Sequence, residues 1–340
     1  MILQMFRCSP QDLQALTQTM LRSMQKYSLT LVGIASSRRM GAAVSFLAGI
    51  FLLKKVSNRL SLWAHNNYMS DRTWDWEKEV VVITGGCGGI GALVVSKLAA
   101  KNIKVVILDI VEPNTKLEAN CVFYKVDITS GEEIHAAAEK LRTEHGDPTV
   151  LINNAGFGSA TPLLQVPENV VRKVFDVNII SHFLLVKEFL PAMVDRNHGH
   201  VVTVASMGSF MAQASNVDYS CTKAATLAFH EGINQELKVL YNAPSVRTSL
   251  SNLMVSIIHP SWVRTPMISK LSNNPSFKAS ILEPEEVAHA IVNQILSGYG
   301  GQIILPEGGS WVSSVRGFPL WLQEKLRTQV SMVLTEVVRK

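Results

Sequence analysis

The chain has 340 residues, 47% of them hydrophobic and 17% charged, with a formal net charge of +5. Its lysines and arginines are scattered except around one N-terminal apolar stretch, which argues against a nucleic-acid face and for affinity toward a membrane surface. Cys8, Cys87, Cys121 and Cys221 have neither paired nor metal-ligand spacing, which excludes a disulfide scaffold and fits a reduced, cytosol-facing compartment.

Residues 1–63 read as an N-terminal extension. Met40 to Leu53 carries no charge and is bracketed by Arg38-Arg39 and Lys54-Lys55. As a helix it reaches about 21 Å, short of the roughly 30 Å hydrocarbon core of a bilayer. Together with the run Leu29 to Ala35, it makes residues 29–53 two short apolar arms able to enter one leaflet and return, so a monotopic anchor is expected. The competing readings are a buried helix, a tilted single span with snorkelling Arg and Lys and, ranked last, a cleaved signal peptide. The polar, tryptophan-bearing block 64–78 reads as a linker leading into the first strand.

From residue 79 onward strand and helix patterns alternate. Glu79 to Thr84, Lys104 to Asp109, Cys121 to Val126, Thr149 to Asn153 and His200 to Ala205 are short apolar runs of the kind a strand covered on both faces requires. Between them, Gly91 to Ala100, Glu132 to Glu144 and Glu168 to Leu190 have helical spacing. Met254 to His259 and Gln302 to Leu305 add two strands, separated by a helix opening at Glu283-Pro284-Glu285-Glu286, where proline and acids suit a first turn. The pattern predicts an α/β fold over residues 79–310, a doubly wound parallel sheet of about seven strands. An amphipathic tail, 311–340, follows; it can dock on a membrane, on a second subunit to give a homodimer, or on its own domain.

The segment Thr84-Gly-Gly-Cys-Gly-Gly-Ile-Gly91 lies between a predicted strand and a predicted helix, where Gly85, Gly89, Ile90 and Gly91 let backbone N–H groups and a helix N-terminus approach a pyrophosphate. Asp109 ends the second strand, placed to accept hydrogen bonds from adenosine ribose hydroxyls and to repel a 2′-phosphate; Ile110 follows it, so no arginine adjoins and NAD is favoured over NADP. Asp127 is placed for the adenine amino group or simply for a turn. Tyr219 and Lys223 stand four residues apart, on one face of a helix, where a cation draws a phenol's pKa down from about 10 toward the working range. Ser206, just beyond a strand, sits at the carboxyl edge of the sheet, able to bond a substrate oxygen or to cap a turn. Asn153-Asn154-Ala-Gly156 and Asn178 complete the series. The histidines have no metal-ligand spacing, and no metal is expected.

These motifs, TGGCGGIG for TGxxxGxG, NNAG and YSCTK for YxxxK, resemble the short-chain dehydrogenase/reductase family over roughly Val80 to Pro306. The resemblance implies a Rossmann-type fold and a nicotinamide-dependent oxidoreductase acting on an alcohol or its carbonyl. In it Tyr219 is the general acid/base, Lys223 lowers its pKa and binds the nicotinamide ribose, Ser206 orients the reacting oxygen, and Asn178 holds a relay water. The segment His259 to Thr265 is similar to the family's PGxxxT, with Ser261 in place of glycine; Val263 and Thr265 would contact the nicotinamide amide. The N-terminal extension resembles the membrane-associated branch of the 17β-hydroxysteroid dehydrogenase 11 and retinol dehydrogenase 10 types. That branch implies lipid-like alcohols (steroid, retinoid or fatty alcohol) as substrates and the endoplasmic reticulum or lipid droplets as location. Arg264 to Leu282 falls where the family keeps a mobile substrate lid, and its Met and Leu content fits an apolar ligand. The rivals are a catalytically silent scaffold, against which the intact Ser206, Asn178, Tyr219 and Lys223 set argues, and an NADP-dependent ketoreductase, for which a basic residue beside Asp109 would speak.

Overall fold

A computed structural model describes residues 38–66, 73–241 and 252–338. The described residues part into two units between Ser61 and Leu62. The first holds most of helix α1, Arg38–His65. This is one continuous helix of 28 residues, about 42 Å long. It takes in the whole of the expected second apolar arm, Met40 to Leu53, while the expected first arm, 29–35, lies outside the described residues. Phe46, Leu47, Ile50, Phe51 and Leu53 are exposed on it.

The second unit is built on β1 (Val80–Thr84), β2 (Lys104–Asp109), β3 (Cys121–Lys125), β4 (Val150–Asn153), β5 (Gly199–Val204), β6 (Leu253–Pro260) and β7 (Gly301–Leu305). All pair in parallel, in the order β3-β2-β1-β4-β5-β6-β7. The fold is the doubly wound α/β sheet that the sequence pattern predicts, and its chain order reverses between β1 and β4, the crevice where such sheets bind ligands. Strand alternation divides the core. Val81 and Ile83 of β1 face a cluster with Val94, Leu98, Ile291 and Ile295, from helices α2 (Gly89–Ala99) and α7 (Pro284–Leu296). Val80 and Val82 face the other layer with Leu141, Leu185 and Phe229, from α3 (Gly131–His145), α5 (Ser181–Arg196) and α6 (Val217–Val239). Local chemistry sets the helix starts: Ser130 Oγ accepts from Glu133 N–H at 3.2 Å to cap α3, and Glu283 with Glu286 forms a capping box on α7.

The helical pattern predicted for residues 168–190 runs as α4 (Glu168–Phe175), a π-helical turn Asp176–Ile180, and α5. This run is long and apolar enough to cross a membrane by length and composition, but half of the apolar window is buried in the body, as in a core helix. The block expected as a linker is partly structural. His65 Nε2 donates to Val255 O at 3.0 Å, Asn66 Oδ1 accepts from Gly300 N–H, and Trp74 and Trp76 stack at 4.9 Å against the core. The tail packs on its own domain. A 3-10 stretch, Glu307–Gly317, buries Val312 and Val315 against Phe210 and Met211, and α8 (Leu320–Val338) buries Leu334 against Ile268, Leu271 and Phe277 of the expected lid.

Candidate active site

The glycine loop owes its shape to close approaches. Gly85 takes φ +65°, and a Cβ on Gly91 would lie 2.1 Å from Gly85 O, so only hydrogen fits there. Thr84 Oγ1 accepts from the N–H groups of Asn154 and Ala155, both at 3.1 Å, while the Asn154 amide donates to Thr84 O and Gly85 O at 3.0 and 3.1 Å. Asn154 thus acts on the loop, its amide N–H groups donated to the backbone. Gly88 caps α2 without a side-chain bond, Gly89 takes φ +51°, and Ile90 packs against the core. Asp109 accepts from Cys87 N–H at 2.9 Å and Val111 N–H at 3.1 Å, which ties β2 to the loop. Asp127 is engaged by Thr129, whose N–H and Oγ1 donate to its Oδ1 at 2.9 and 2.8 Å, the turn-forming alternative. Asn153 is fully buried at the end of β4, with neither amide atom bonded.

Tyr219 stands in the first turn of α6, between two glycines. A Cβ on Gly158 would lie 3.3 Å from its Cδ2, and one on Gly208 would lie 3.5 Å from Ser206 Oγ and 3.8 Å from Tyr219 Cε1. Burial pushes the phenol above its ordinary value, and a hydrogen bond with Ser206 draws it back. In the protein alone the downward pull comes from Ser206 rather than from Lys223, and desolvation exceeds it. Lys223 is itself buried, its pKa lowered to about 8 by that burial; its Nζ donates to Val204 O at 2.9 Å and lies 5.5 Å from the Tyr219 ring centroid. The π-helical turn places Asn178, fully buried, beneath them. Its Oδ1 accepts from Phe157 N–H at 2.7 Å, and its Nδ2 donates to Phe157 O at 2.8 Å and Thr222 Oγ1 at 3.1 Å. Thr222 donates to Tyr219 O at 2.8 Å, so it links Asn178 to the tyrosine. The sequence marks Thr222 only by its place three residues after Tyr219.

Val263 is buried in a short strand that pairs with Ile281–Leu282, and Thr265 lies beside Gly89, whose Cβ would be 3.4 Å from Thr265 Cγ2. Ser261 donates its N–H to Leu305 O at 2.9 Å without a positive φ, so this position has no need of the family's glycine. Met267, half-exposed, reaches over the site; its Cε lies 3.6 Å from where a Gly156 Cβ would be. Elsewhere on the surface, ligand atoms of His135, Glu139 and Glu188 lie within 4.8 Å of one another, but Arg142 already bonds both carboxylates.

The residues present fit a dinucleotide. The first N–H groups of α2 have no side-chain cap, a Cβ at Gly88 would meet open space, and the Lys223 ammonium carries three donors, of which one is spent on Val204 O. Fold and site together define an oxidoreductase of the dinucleotide-binding α/β class.

The short chain dehydrogenase family profile matches residues 79–276, and the chain belongs to that family. It is 48% identical over 200 residues to Dehydrogenase RED2 of Cochliobolus heterostrophus, covering 58% of this chain and 76% of that protein. It is 34% identical over 270 residues to estradiol 17-beta-dehydrogenase 11 of Rattus norvegicus, covering 76% of this chain and 86% of the relative, so it resembles that branch. Among solved structures, a 4-hydroxyisoleucine dehydrogenase complexed with NADH superposes with a TM-score of 0.56 at 25% identity, over 67% of this chain and 96% of that one. The protein is an oxidoreductase acting on CH–OH groups with a nicotinamide cofactor.

Proposed function

We propose that the chain interconverts a hydrophobic alcohol and its carbonyl with NAD, using Tyr219 as general acid/base. The observation that carries this reading is Tyr219 wedged beside Ser206 at the carboxyl edge of the sheet, with the buried Lys223 ammonium over its ring. The uncapped start of α2, with Gly85, Gly89, Ile90 and Gly91, would hold the pyrophosphate, and Asp109 the adenosine ribose. Asp127 and Asn153 flank the adenine side and the crevice, and Val263 and Thr265 the nicotinamide amide. When bound, the nicotinamide accepts or returns a hydride. In the oxidative direction the Tyr219 phenolate takes the alcohol proton while Ser206 donates a hydrogen bond to the same oxygen; the reductive direction reverses both transfers. Lys223, cationic below about pH 8, stabilises the phenolate and gives its free donors to the nicotinamide ribose. Asn178 has its side chain fully committed, so its part is to fix the floor of the site and to offer its carbonyl to a relay water; Thr226 Oγ1 reaches that carbonyl only at 3.4 Å.

Asp109, followed by Ile110 and Val111, puts a carboxylate and no cation where a 2′-phosphate would sit, which supports NAD over NADP. The apolar lid residues Met267, Ile268, Leu271 and Phe277 support a steroid, retinoid or fatty alcohol. The exposed apolar side chains of α1, bracketed by basic residues, support a seat on a membrane or lipid-droplet surface, with the endoplasmic reticulum as its source. Exposed Ile180 and Phe183 on or beside α5 offer an apolar face to a second copy.

The test is turnover of the full chain in mild detergent, read as reduced-cofactor absorbance with NAD and with NADP on long-chain alcohols, retinol and steroid alcohols, beside Tyr219→Phe. Turnover with NAD that falls about 10²–10⁴-fold in the variant, with cofactor binding retained, is expected. Cofactor binding without turnover in either direction would replace the reading by a silent scaffold.

A further inference from the structure

Ser206 follows the last residues of β5, where the backbone has left the sheet and its two soft dihedrals decide where Oγ points. Two bonds restrain this turn from within: Ser206 Oγ accepts from Gly208 N–H at 3.1 Å, and Ser206 O accepts from Ser209 N–H at 3.0 Å. A third comes from a different strand. His259, near the end of β6 and fully buried, has its Nδ1 3.0 Å from Ser206 O.

A carbonyl oxygen only accepts, so Nδ1 carries the proton. The neutral ring's Nε2 is then an acceptor, and Gln302 Nε2, 3.2 Å away on β7, donates to it. Every polar atom of the imidazole is thereby used, and the Phe210 ring packs against it at 4.5 Å between centroids. The Ser206 carbonyl sets the tautomer, and the Gln302 amide holds the ring from its other edge. Burial, together with the Lys223 charge from α6, holds the ring neutral by lowering its pKa to about 4, although the bond to Ser206 O pulls the other way. The arrangement therefore persists across ordinary working pH. Of the charged and titratable groups, Lys223 on α6 is the one that acts on this ring most directly; His230, also on α6, is a weaker neighbour.

We propose that His259, held by Gln302, is a positioning residue that fixes the Ser206 carbonyl and so aims the Ser206 hydroxyl at the Tyr219 oxygen and the substrate oxygen. This rests on the reading that Ser206 and Tyr219 form the reacting pair, and the test separates the two. In full-length protein labelled with ¹³Cζ-tyrosine, the Tyr219 resonance is assigned by its loss in Tyr219→Phe. Ser206→Ala should shift that resonance, and His259→Leu should shift it the same way. His259→Asn, which keeps an amide donor near the place of Nδ1, should return it toward the parent value.

On whichever alcohol the full chain oxidises, His259→Leu should lower kcat about 10-fold to 100-fold with little change in cofactor KM, the scale of a misplaced catalytic group. In a Ser206→Ala background it should lower kcat no further, because its effect runs through the serine. Where His259→Leu does not fold, Gln302→Leu, on an exposed residue, tests the same chain of bonds by removing the group that holds the far edge of the ring.

If Ser206→Ala leaves the Tyr219 resonance unmoved, the reading of the reacting pair fails and the proposal with it. A resonance moved by Ser206→Ala but unmoved by His259→Leu and Gln302→Leu overturns the proposal alone. Losses that add in the double variant would do so as well, since they would make His259 merely structural.

Discussion

Lowering the pH should unfold this protein steeply, because its interior holds histidines that cannot take up a proton. Burial lowers His182, His200 and His230 to about 3 and His259 to about 4, against 6.5 in the unfolded chain. Each folded-state value lies below the unfolded one, so the unfolded chain binds more protons between about pH 4 and 6.5, and stability falls as pH drops through 6.5. At about pH 5.5 each histidine favours unfolding by about 1.4 kcal/mol, and the four together by about 6 kcal/mol, comparable with the whole stability of an ordinary domain. At about pH 7.5 their joint effect is near zero. Urea unfolding at about pH 7.5, 6.5 and 5.5 should show the midpoint collapsing over the last interval, with close to four protons taken up on unfolding. His230→Gln should remove about a quarter of that slope. A free energy that changes by less than about 1 kcal/mol between pH 7.5 and 5.5 would refute the burial of neutral histidines described above.

Three further outcomes are expected. Gly91→Ala puts a methyl 2.1 Å from Gly85 O and 2.6 Å from Asn154 Nδ2, and the loop must move; NAD affinity by calorimetry should fall about tenfold or more, with about 1–3 kcal/mol of stability lost. Asp109→Asn keeps an acceptor for the Cys87 N–H but removes the charge, so the ratio of kcat/KM for NADP to that for NAD should rise about tenfold or more. Leu334→Ala empties a fully buried site between α8 and the lid, which should cost about 2–5 kcal/mol in denaturant unfolding and raise the KM for substrate more than that for cofactor.

The seven strands were legible because each is a short apolar run bounded by polar or glycine-bearing turns, and all seven begin and end within a residue or so of where the pattern puts them. The glycine loop and the Tyr219/Lys223 pair were legible because their chemistry depends on local spacing. Contacts between distant segments were not. Nothing in the run Glu168 to Leu190 signals the extra residue that makes the π-helical turn around Asn178. The commitment of Asn154 to the loop depends on β1 and β4 being neighbours, and its motif alone suggests a ligand contact. His259 reads as an unremarkable strand-end residue until β5, β6 and β7 lie side by side. The tail illustrates the same limit: its apolar residues fit a membrane, a partner or its own domain equally well until Phe210 and Leu271 come to rest against it.

The placement of α8 separates two properties of the enzyme along its chain. Ser331 Oγ accepts from Ala214 N–H at 3.0 Å across 117 positions of sequence, and Leu334 sits on the lid, yet no residue of α8 belongs to the motif set that handles the hydride and the proton. The packing of the expected lid can therefore change while the reacting residues keep their places. Exchanging this helix for a relative's should accordingly change the ranking of alcohols by kcat/KM while leaving the choice between NAD and NADP as it was.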